Sequence, residues 1–132
     1  MSTRLALPNR RNHITQKVRI AARRTLYISV QDHEYSAEIF LRVKGPDCSA
    51  ELIGLYDVIA RLMSLALQYS APLEKVGDLI AGAKFAPCNP VVGHDRLKYC
   101  TSLPDLIGRH VLIEYCGRVD LVPSSQVHVT TP

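Results

Sequence analysis

The feature that most constrains the fold is a set of three short segments in which apolar and polar residues alternate, at 13–20, 25–30 and 37–44. Alternation with a period of two puts every second side chain on the same face of a β-strand. The segments follow one another through brief connections. Three consecutive short strands with such connections predict an antiparallel meander that has one solvated face.

A helical pattern follows the strands, over residues 50–69. Ser49 is a candidate N-cap, because its hydroxyl can accept a hydrogen bond from a free backbone N–H of the first turn. Further apolar residues at Ile53, Val58 and Leu65 widen the apolar surface, so we expect this helix to be covered on more than one side. The main apolar stripe has three- and four-residue spacing and contains Leu52, Leu55, Tyr56, Ile59, Leu62, Met63, Ala66 and Leu67.

Two shorter helices are predicted at 72–82 and 102–116, the second with Ser102 as N-cap and Asp105 at the third helical position, as in a capping box. Residues 84–100 contain two prolines and a glycine without periodicity, which predicts a long loop. The expected fold class is therefore α+β, with a three-stranded antiparallel sheet packed against a long central helix and two shorter helices.

The length of 132 residues indicates one domain. We expect a basic N-terminal arm at 1–12, an α+β domain at 13–118 and a flexible C-terminal tail at 119–132. No apolar run is long enough to span a membrane. The N-terminus also lacks the apolar segment of a signal peptide, so a cytoplasmic location is expected.

Charge is distributed unevenly along the chain. The first 31 residues contain seven Lys and Arg and no acidic residue, whereas the remainder contains nine Lys and Arg and 12 Asp and Glu. A basic arm on a mildly acidic body predicts a polyanionic partner, either nucleic acid, nucleotide phosphates or an acidic protein surface. The alternative is a solvated segment that only increases solubility.

The sequence has no motif for catalysis. None of the five histidines stands in a pattern that pairs it with a nucleophile, and neither a Walker-type phosphate loop nor a GxGxxG motif occurs. The four cysteines are scattered without a CxxC pair, and disulfides are not expected in a cytosolic chain. Cys88, His94 and Cys100 are weak candidates for metal ligands, because their spacing is wide and no fourth ligand is near.

Anion binding is the chemistry that remains. Two predicted helix starts offer free N–H groups, one at Ser49 after Lys44 and one at Ser102. The alternative is that both serines only cap their own helices. The predicted phosphate-binding residues are Arg10, Arg11, Lys17, Lys44, Ser49, Arg96, Lys98, Thr101 and Ser102.

Four stretches of the chain carry a family resemblance, which covers roughly residues 7–122. They are LPNRRNHITQKVRI, AEIFLRVKGPDCSAELIGLYDVIARLMSLALQYSAPLEKVGDLIAGAKFAPC, GHDRLKYCTSLPDLIGR and EYCGRVDL. Together they resemble the C-terminal region of adenosylcobalamin-dependent (class II) ribonucleotide reductases. Residues 101–105 are similar to the signature of the TSCPD domain, with Leu103 where the signature has cysteine.

The resemblance does not imply that this chain is itself an active reductase. The family's catalytic barrel, radical cysteine, redox cysteine pair and cobalamin site have no matching motif here, so we expect no reductase activity and no bound cofactor from this chain alone. Adenosylcobalamin is implied only by family association. The expected function is a non-catalytic accessory module that binds a nucleotide, another phosphate-bearing ligand or a reductase subunit. Alternatives are a nucleic-acid-binding domain and a phage-type protein that sequesters a small nucleotide signal. Open sheet edges and the wide apolar helix predict a homo-oligomer.

Overall fold

The computed structural model describes residues 3–4, 12–33 and 36–122. Most of the predicted arm, including Arg10 and Arg11, and most of the predicted tail, residues 123–132, lie outside the described residues. The described elements are β1 (Ile14–Ile20), β2 (Arg24–His33), β3 (Ser36–Lys44), α1 (Ala50–Gln68), α2 (Leu73–Ile80), β4 (Val91–Val92), α3 (Leu103–Cys116) and a 3₁₀-helix at Val119–Leu121. None of the described helices is long and apolar enough to cross a membrane.

The α+β class is confirmed, but the expected number of strands is wrong. The sheet has four strands in the order β3-β2-β1-β4, and all neighbours are antiparallel. The additional strand, β4, lies within the predicted loop 84–100 and pairs Val92 with Arg19. A two-residue strand is too short to show an alternating pattern, so the sequence gives no periodic signal for it.

The connection between β1 and β2 is a tight turn without glycine. Ala21 and Ala22 both adopt left-handed backbone angles, with φ values of 55° and 58°. This conformation is uncommon for residues that have a Cβ atom. The turn allows Ile20 to pair with Arg24, and in the resulting register Val18 and Ile20 of β1 lie in the core with Leu26, Ile28 and Val30 of β2.

The long helix α1 covers the outer edge of β3. The Ser64 hydroxyl accepts a hydrogen bond from the N–H of Ile39 at 2.9 Å and donates one to the carbonyl of Ile39 at 3.0 Å. These bonds occupy backbone groups of the edge strand that would otherwise be free to pair with another strand. A stripe on the same helix packs into the core and contains Tyr56, Ala60, Met63 and Leu67.

Helices α2 and α3 approach closely through two glycines. A Cβ atom on Gly108 would lie 2.7 Å from the carbonyl oxygen of Gly77 and 2.7 Å from the backbone nitrogen of Ala81. Such distances leave no room for a side chain. The predicted helices are confirmed to within about two residues, and the caps at Ser49 and Ser102 are confirmed by their hydrogen bonds.

Candidate phosphate-binding surface

The outward face of the sheet carries a group of cations around one aromatic ring. Alternation places Lys17 and Arg19 of β1 outward, together with Tyr27 of β2 and Arg42 and Lys44 of β3. The strand register aligns Lys17, Tyr27 and Arg42 in one row across the sheet. We call these five residues the basic sheet face.

Two lysines point their ammonium groups toward the Tyr27 ring. The Nζ atom of Lys17 lies 5.9 Å from the ring centroid and that of Lys44 lies 5.5 Å from it. Both distances fall within the usual limit for a cation–π contact, about 6 Å. The ring therefore holds the two ammonium groups near each other on an exposed surface.

The charge of the basic sheet face is not neutralised by the described residues. Its four cations form no ion pair with any acidic side chain in the described part of the chain. Arg19 donates instead to the backbone carbonyl of Ala22 at 2.8 Å. Glu38, the acidic residue of β3, is buried and hydrogen-bonded to His13 at 3.1 Å. Asp57 lines a cavity together with Arg42 but forms its ion pair with Arg61. Cations collected without counter-charges favour an anionic ligand.

The predicted phosphate-binding residues lie in several parts of the structure. Two of them, Lys17 and Lys44, lie on the basic sheet face. Ser49 caps α1, where its hydroxyl oxygen accepts the N–H of Leu52 at 3.1 Å. Thr101 and Ser102 belong to a different region, the first turn of α3.

The hydroxyls at the first turn of α3 are used within the fold. Thr101 and Ser102 each donate to the carbonyl oxygen of Ala83 at 2.7 Å, and Ser102 also accepts the N–H of Asp105 at 3.0 Å. The neighbouring cations are engaged as well. Lys98 donates to the carbonyl of His94 at 2.6 Å, and the Nε atom of Arg96 lies 3.7 Å from a carboxylate oxygen of Glu114. Phosphate binding by these residues stays a prediction.

Asp105 is the centre of this turn, and the sequence pattern identified it only as a capping residue. Its buried carboxylate accepts hydrogen bonds from the N–H groups of Gly82 at 2.6 Å and Thr101 at 2.9 Å, and from Nε of Arg109 at 2.8 Å. Burial alone would raise the pKa of Asp105, but these three donors stabilise the charged form and hold its pKa below the usual value. A carboxylate of the protein itself thus occupies this helix start.

Cys100 contacts Cys88, but the three metal candidates do not form a cluster that could hold an ion. His94 is buried and bonds His110 at 3.0 Å between ring nitrogens, while the Cys100 thiol donates to the carbonyl oxygen of Cys88 at 3.0 Å. Burial raises the pKa of Cys100 to about 12, so its thiol stays protonated. Among the described residues no cluster of three His, Cys, Asp or Glu could hold a metal ion.

The buried histidine pair has a defined direction of proton donation. The Nδ1 atom of His94 accepts the N–H groups of Arg96 at 3.0 Å and Leu97 at 2.9 Å, so the neutral ring carries its proton on Nε2 and donates it to Nδ1 of His110. Burial lowers the pKa of His94 and lowers that of His110 to about 4. The pair therefore connects the loop to α3 in its uncharged form.

Three members of the basic sheet face were missed by the sequence analysis. Arg19, Tyr27 and Arg42 stand in the predicted strands, but no motif marks them as binding residues. The signal that could have found them is the strand register, because a meander with a short first turn aligns odd residues of β1 and β2 with even residues of β3. Only this pairing brings residues 17, 27 and 42 into one row.

Comparisons with known proteins identify the family. The TSCPD domain model matches residues 2–115. A vitamin B12-dependent ribonucleotide reductase of Bradyrhizobium diazoefficiens is 32% identical over 123 residues, which are 92% of this chain. One of Agrobacterium fabrum is 32% identical over 119 residues, 87% of this chain. The chain spans only 10% and 9% of these two relatives, respectively. No solved structure matches it.

The first turn of α3 lies within the residues that the family model matches. The T-S-L-P-D stretch at 101–105 builds the network around Asp105, and Leu103, which stands where the signature has cysteine, is fully buried in the core. The side chain at this position faces apolar neighbours, so its exchange for leucine is compatible with packing. The chain belongs to the TSCPD domain family.

Proposed function

We propose that this chain is a non-catalytic accessory module, related to B12-dependent ribonucleotide reductases, that binds a phosphate-bearing ligand on the basic sheet face. The observation that carries the proposal is the Tyr27 ring, which lies between the ammonium groups of Lys17 and Lys44. Arg19 and Arg42 extend the positive charge on either side.

The chemistry of this face suits a phosphate next to a planar group. Arginine presents a flat fork of N–H donors that matches phosphate oxygens, and lysine supplies a compact positive charge. Tyr27 is half-buried, and the exposed part of its ring offers a surface on which a nucleobase can stack. The sheet spaces successive outward side chains of one strand about 7 Å apart, so several phosphate oxygens can be reached at once.

A binding role is favoured over catalysis by the groups that border Tyr27. The strand register surrounds the ring with lysine, arginine, serine and threonine side chains. None of these described neighbours is an imidazole or a carboxylate, the groups that most often act as general bases. The relatives named as reductases are about ten times longer than the matched segment, so their name alone does not assign catalysis to this domain.

A single-stranded nucleic acid is the second candidate ligand. The basic sheet face is an open surface, whereas small-molecule sites are usually concave. Open sheet surfaces with exposed aromatic and basic residues are a known way to bind single strands. Affinity for such a ligand would increase with its length and decrease steeply with salt concentration.

The test is a thermal-shift and titration series with nucleoside mono-, di- and triphosphates, cyclic nucleotides and oligonucleotides of increasing length. At ~100 times its dissociation constant, a ligand should stabilise the protein by about 2.7 kcal/mol, a shift of roughly 10 °C in the melting temperature. The double variant Lys17→Ala/Lys44→Ala should remove the shift. The matched control, Lys75→Ala/Lys84→Ala, removes the same charge from exposed positions away from the sheet and should preserve it.

The outcomes distinguish the candidates. A shift with one small nucleotide, independent of length, supports a nucleotide-binding or nucleotide-sequestering module. A shift only with oligonucleotides, lost in high salt, supports the nucleic-acid candidate. If no ligand shifts the melting temperature, or if both double variants behave alike, the basic sheet face is not the binding site. A reductase subunit then becomes the partner to test.

A further inference from the structure

Helix α1 carries a second apolar stripe that the fold does not bury. Five residues recur along it in alternating steps of three and four, and between 40% and 61% of each remains exposed. We call this stripe the α1 seam; it consists of Leu55, Val58, Leu62, Leu65 and Tyr69.

The position of the seam separates it from the core contacts. At 100° per residue, the seam lies on the side of α1 opposite Tyr56, Ala60 and Met63, which face the core. An apolar stripe with alternating three- and four-residue steps is the pattern of a helix that packs along another helix, because it keeps the a and d positions of a heptad in line. The seam therefore fits an α-helix better than a strand or a loop.

We propose that a second copy of this chain covers the seam, with α1 packed against α1 across a two-fold axis. A self-complementary interface is isologous, so one exposed helix per protomer is sufficient to form it. The charges beside the seam favour this partner. Asp57 and Arg61 form an ion pair at 3.2 Å, so neither charge is left to repel an identical helix, and Arg61 of one copy can also bind Asp57 of the other.

The α1 seam is short, but it is sufficient for dimer formation because α1 is already folded. An isolated coiled coil needs about three to four heptads, and the seam spans only two. In an isolated peptide much of the interaction energy is spent on forming the helix. Here α1 is already folded and fixed to the sheet edge through Ser64, so packing does not have to offset that cost.

The seam also borders a concave site that can receive side chains from the second copy. A cavity of about 450 Å³ lies between α1 and β3, and its apolar lining includes Phe40, Leu62 and Leu65. Arg4 also lines it and donates to the side chain of Gln68 at 2.7 Å, so one end of the cavity is polar. A projecting side chain such as Tyr69 or Leu55 of the second copy can enter it, as a knob enters a hole.

A membrane surface is a poorer occupant of the seam. Helices that lie on membranes carry several lysines or arginines on their polar face. The described α1 has one basic residue, Arg61, which is already paired with Asp57. The charge of the helix therefore fits a protein partner of low net charge.

Sedimentation velocity of the full chain across a range of concentrations tests the proposal. The wild-type protein should sediment as a dimer. Leu62→Glu should raise the dimer dissociation constant by about 100-fold or more, because it places two charges at the centre of the interface. Leu79→Glu is the matched control: Leu79 is 83% exposed on α2, away from the seam, and its substitution should leave the dimer intact.

Two controls show whether a loss of the dimer comes from the α1 seam and not from unfolding. Circular dichroism and thermal melting must show that Leu62→Glu is folded, and Leu55→Lys at a second seam position provides an independent variant. A monomeric wild type, a dimer unaffected by both seam variants, or equal dissociation by Leu79→Glu would each overturn the proposal. A monomer that binds a different chain through the seam would also overturn it. The measurement contains no phosphate ligand, so its result is independent of the proposed function.

Discussion

The basic sheet face and the first turn of α3 contain similar polar groups and use them in opposite ways. At the first turn of α3, the hydroxyls of Thr101 and Ser102 and the carboxylate of Asp105 all have partners inside the protein. On the sheet, the ammonium groups of Lys17 and Lys44 contact a tyrosine ring and form no ion pair with a described residue. The segment most easily recognised in the sequence therefore bonds its polar groups within the fold, whereas the cations without a sequence motif lack a described ion-pair partner.

The largest expected effect of a single substitution is that of Asp105→Ala. The change leaves Arg109 and the N–H groups of Thr101 and Gly82 without their acceptor, and breaking a buried ion pair costs about 3–5 kcal/mol. Urea denaturation measures the loss. Glu74→Ala is the control, because Glu74 also pairs with an arginine, Arg118, but at an exposed site away from the α1 seam. Little or no change is expected there. Equal losses in both variants would contradict the structural role of Asp105.

The histidine pair next to this turn predicts a pH dependence. The pKa of His110 is about 4 in the folded protein and about 6.5 in the unfolded chain, so the unfolded state binds more protons between these values. Stability should thus be fully present above pH ~6.5 and should fall by about 3 kcal/mol as the pH decreases to ~4. The lowered pKa of His94 acts in the same direction.

Urea midpoints at pH 7, 6, 5 and 4 (roughly spanning the two pKa values) measure this change. His110→Asn should be less stable than the wild type at neutral pH, because the buried Nε2–H of His94 loses its ring acceptor. Its stability should nevertheless depend less on pH. A variant with the wild-type slope would show that another group causes the acid sensitivity. Protonation of Asp105 contributes only at pH values below this range, because the pKa of Asp105 lies under its usual value of 3.8.

The contact between α2 and α3 predicts a smaller loss. Gly108→Ala puts a methyl group 2.7 Å from backbone atoms of Gly77 and Ala81, and overpacking of this kind costs about 1–3 kcal/mol. Gly54→Ala is the opposite case, since Gly54 lies in α1 with no atom within 4 Å of its added Cβ. That change should stabilise the protein by up to ~1 kcal/mol through helix propensity. Thermal melting of the pair should show shifts of opposite sign.

Local patterns predicted the elements, but not the contacts between distant segments. Alternation identified β1, β2 and β3, and the caps at Ser49 and Ser102 follow from their positions before apolar helical runs. The bond between Asp105 and Gly82 joins residues 23 positions apart, and that between His94 and His110 joins residues 16 apart. Such contacts depend on how the helices pack. No spacing rule within a single segment contains this information.

The candidate site also depends on contacts between distant segments, which local sequence patterns do not contain. Lys17 and Lys44 were selected from the sequence as isolated cations, and their common neighbour Tyr27 was not, because the ring joins them only when three strands are in register. The homologous relatives do not supply this information either, since their names describe proteins of which the chain spans about a tenth. The surface becomes visible only from the pairing of the strands.

The smallest expected effect on stability is that of Lys17→Ala/Lys44→Ala, which separates the two regions most clearly. Both lysines are exposed and unpaired among described residues, so their removal should change the free energy of unfolding by no more than about 0.5 kcal/mol. The same variant should abolish the ligand-induced thermal shift. Asp105→Ala should do the reverse, with lower stability but unchanged affinity at a temperature where it is folded. If the lysine variant instead lost stability as Asp105→Ala does, the sheet face would be part of the scaffold, and the distinction between a binding surface and a structural turn would fail.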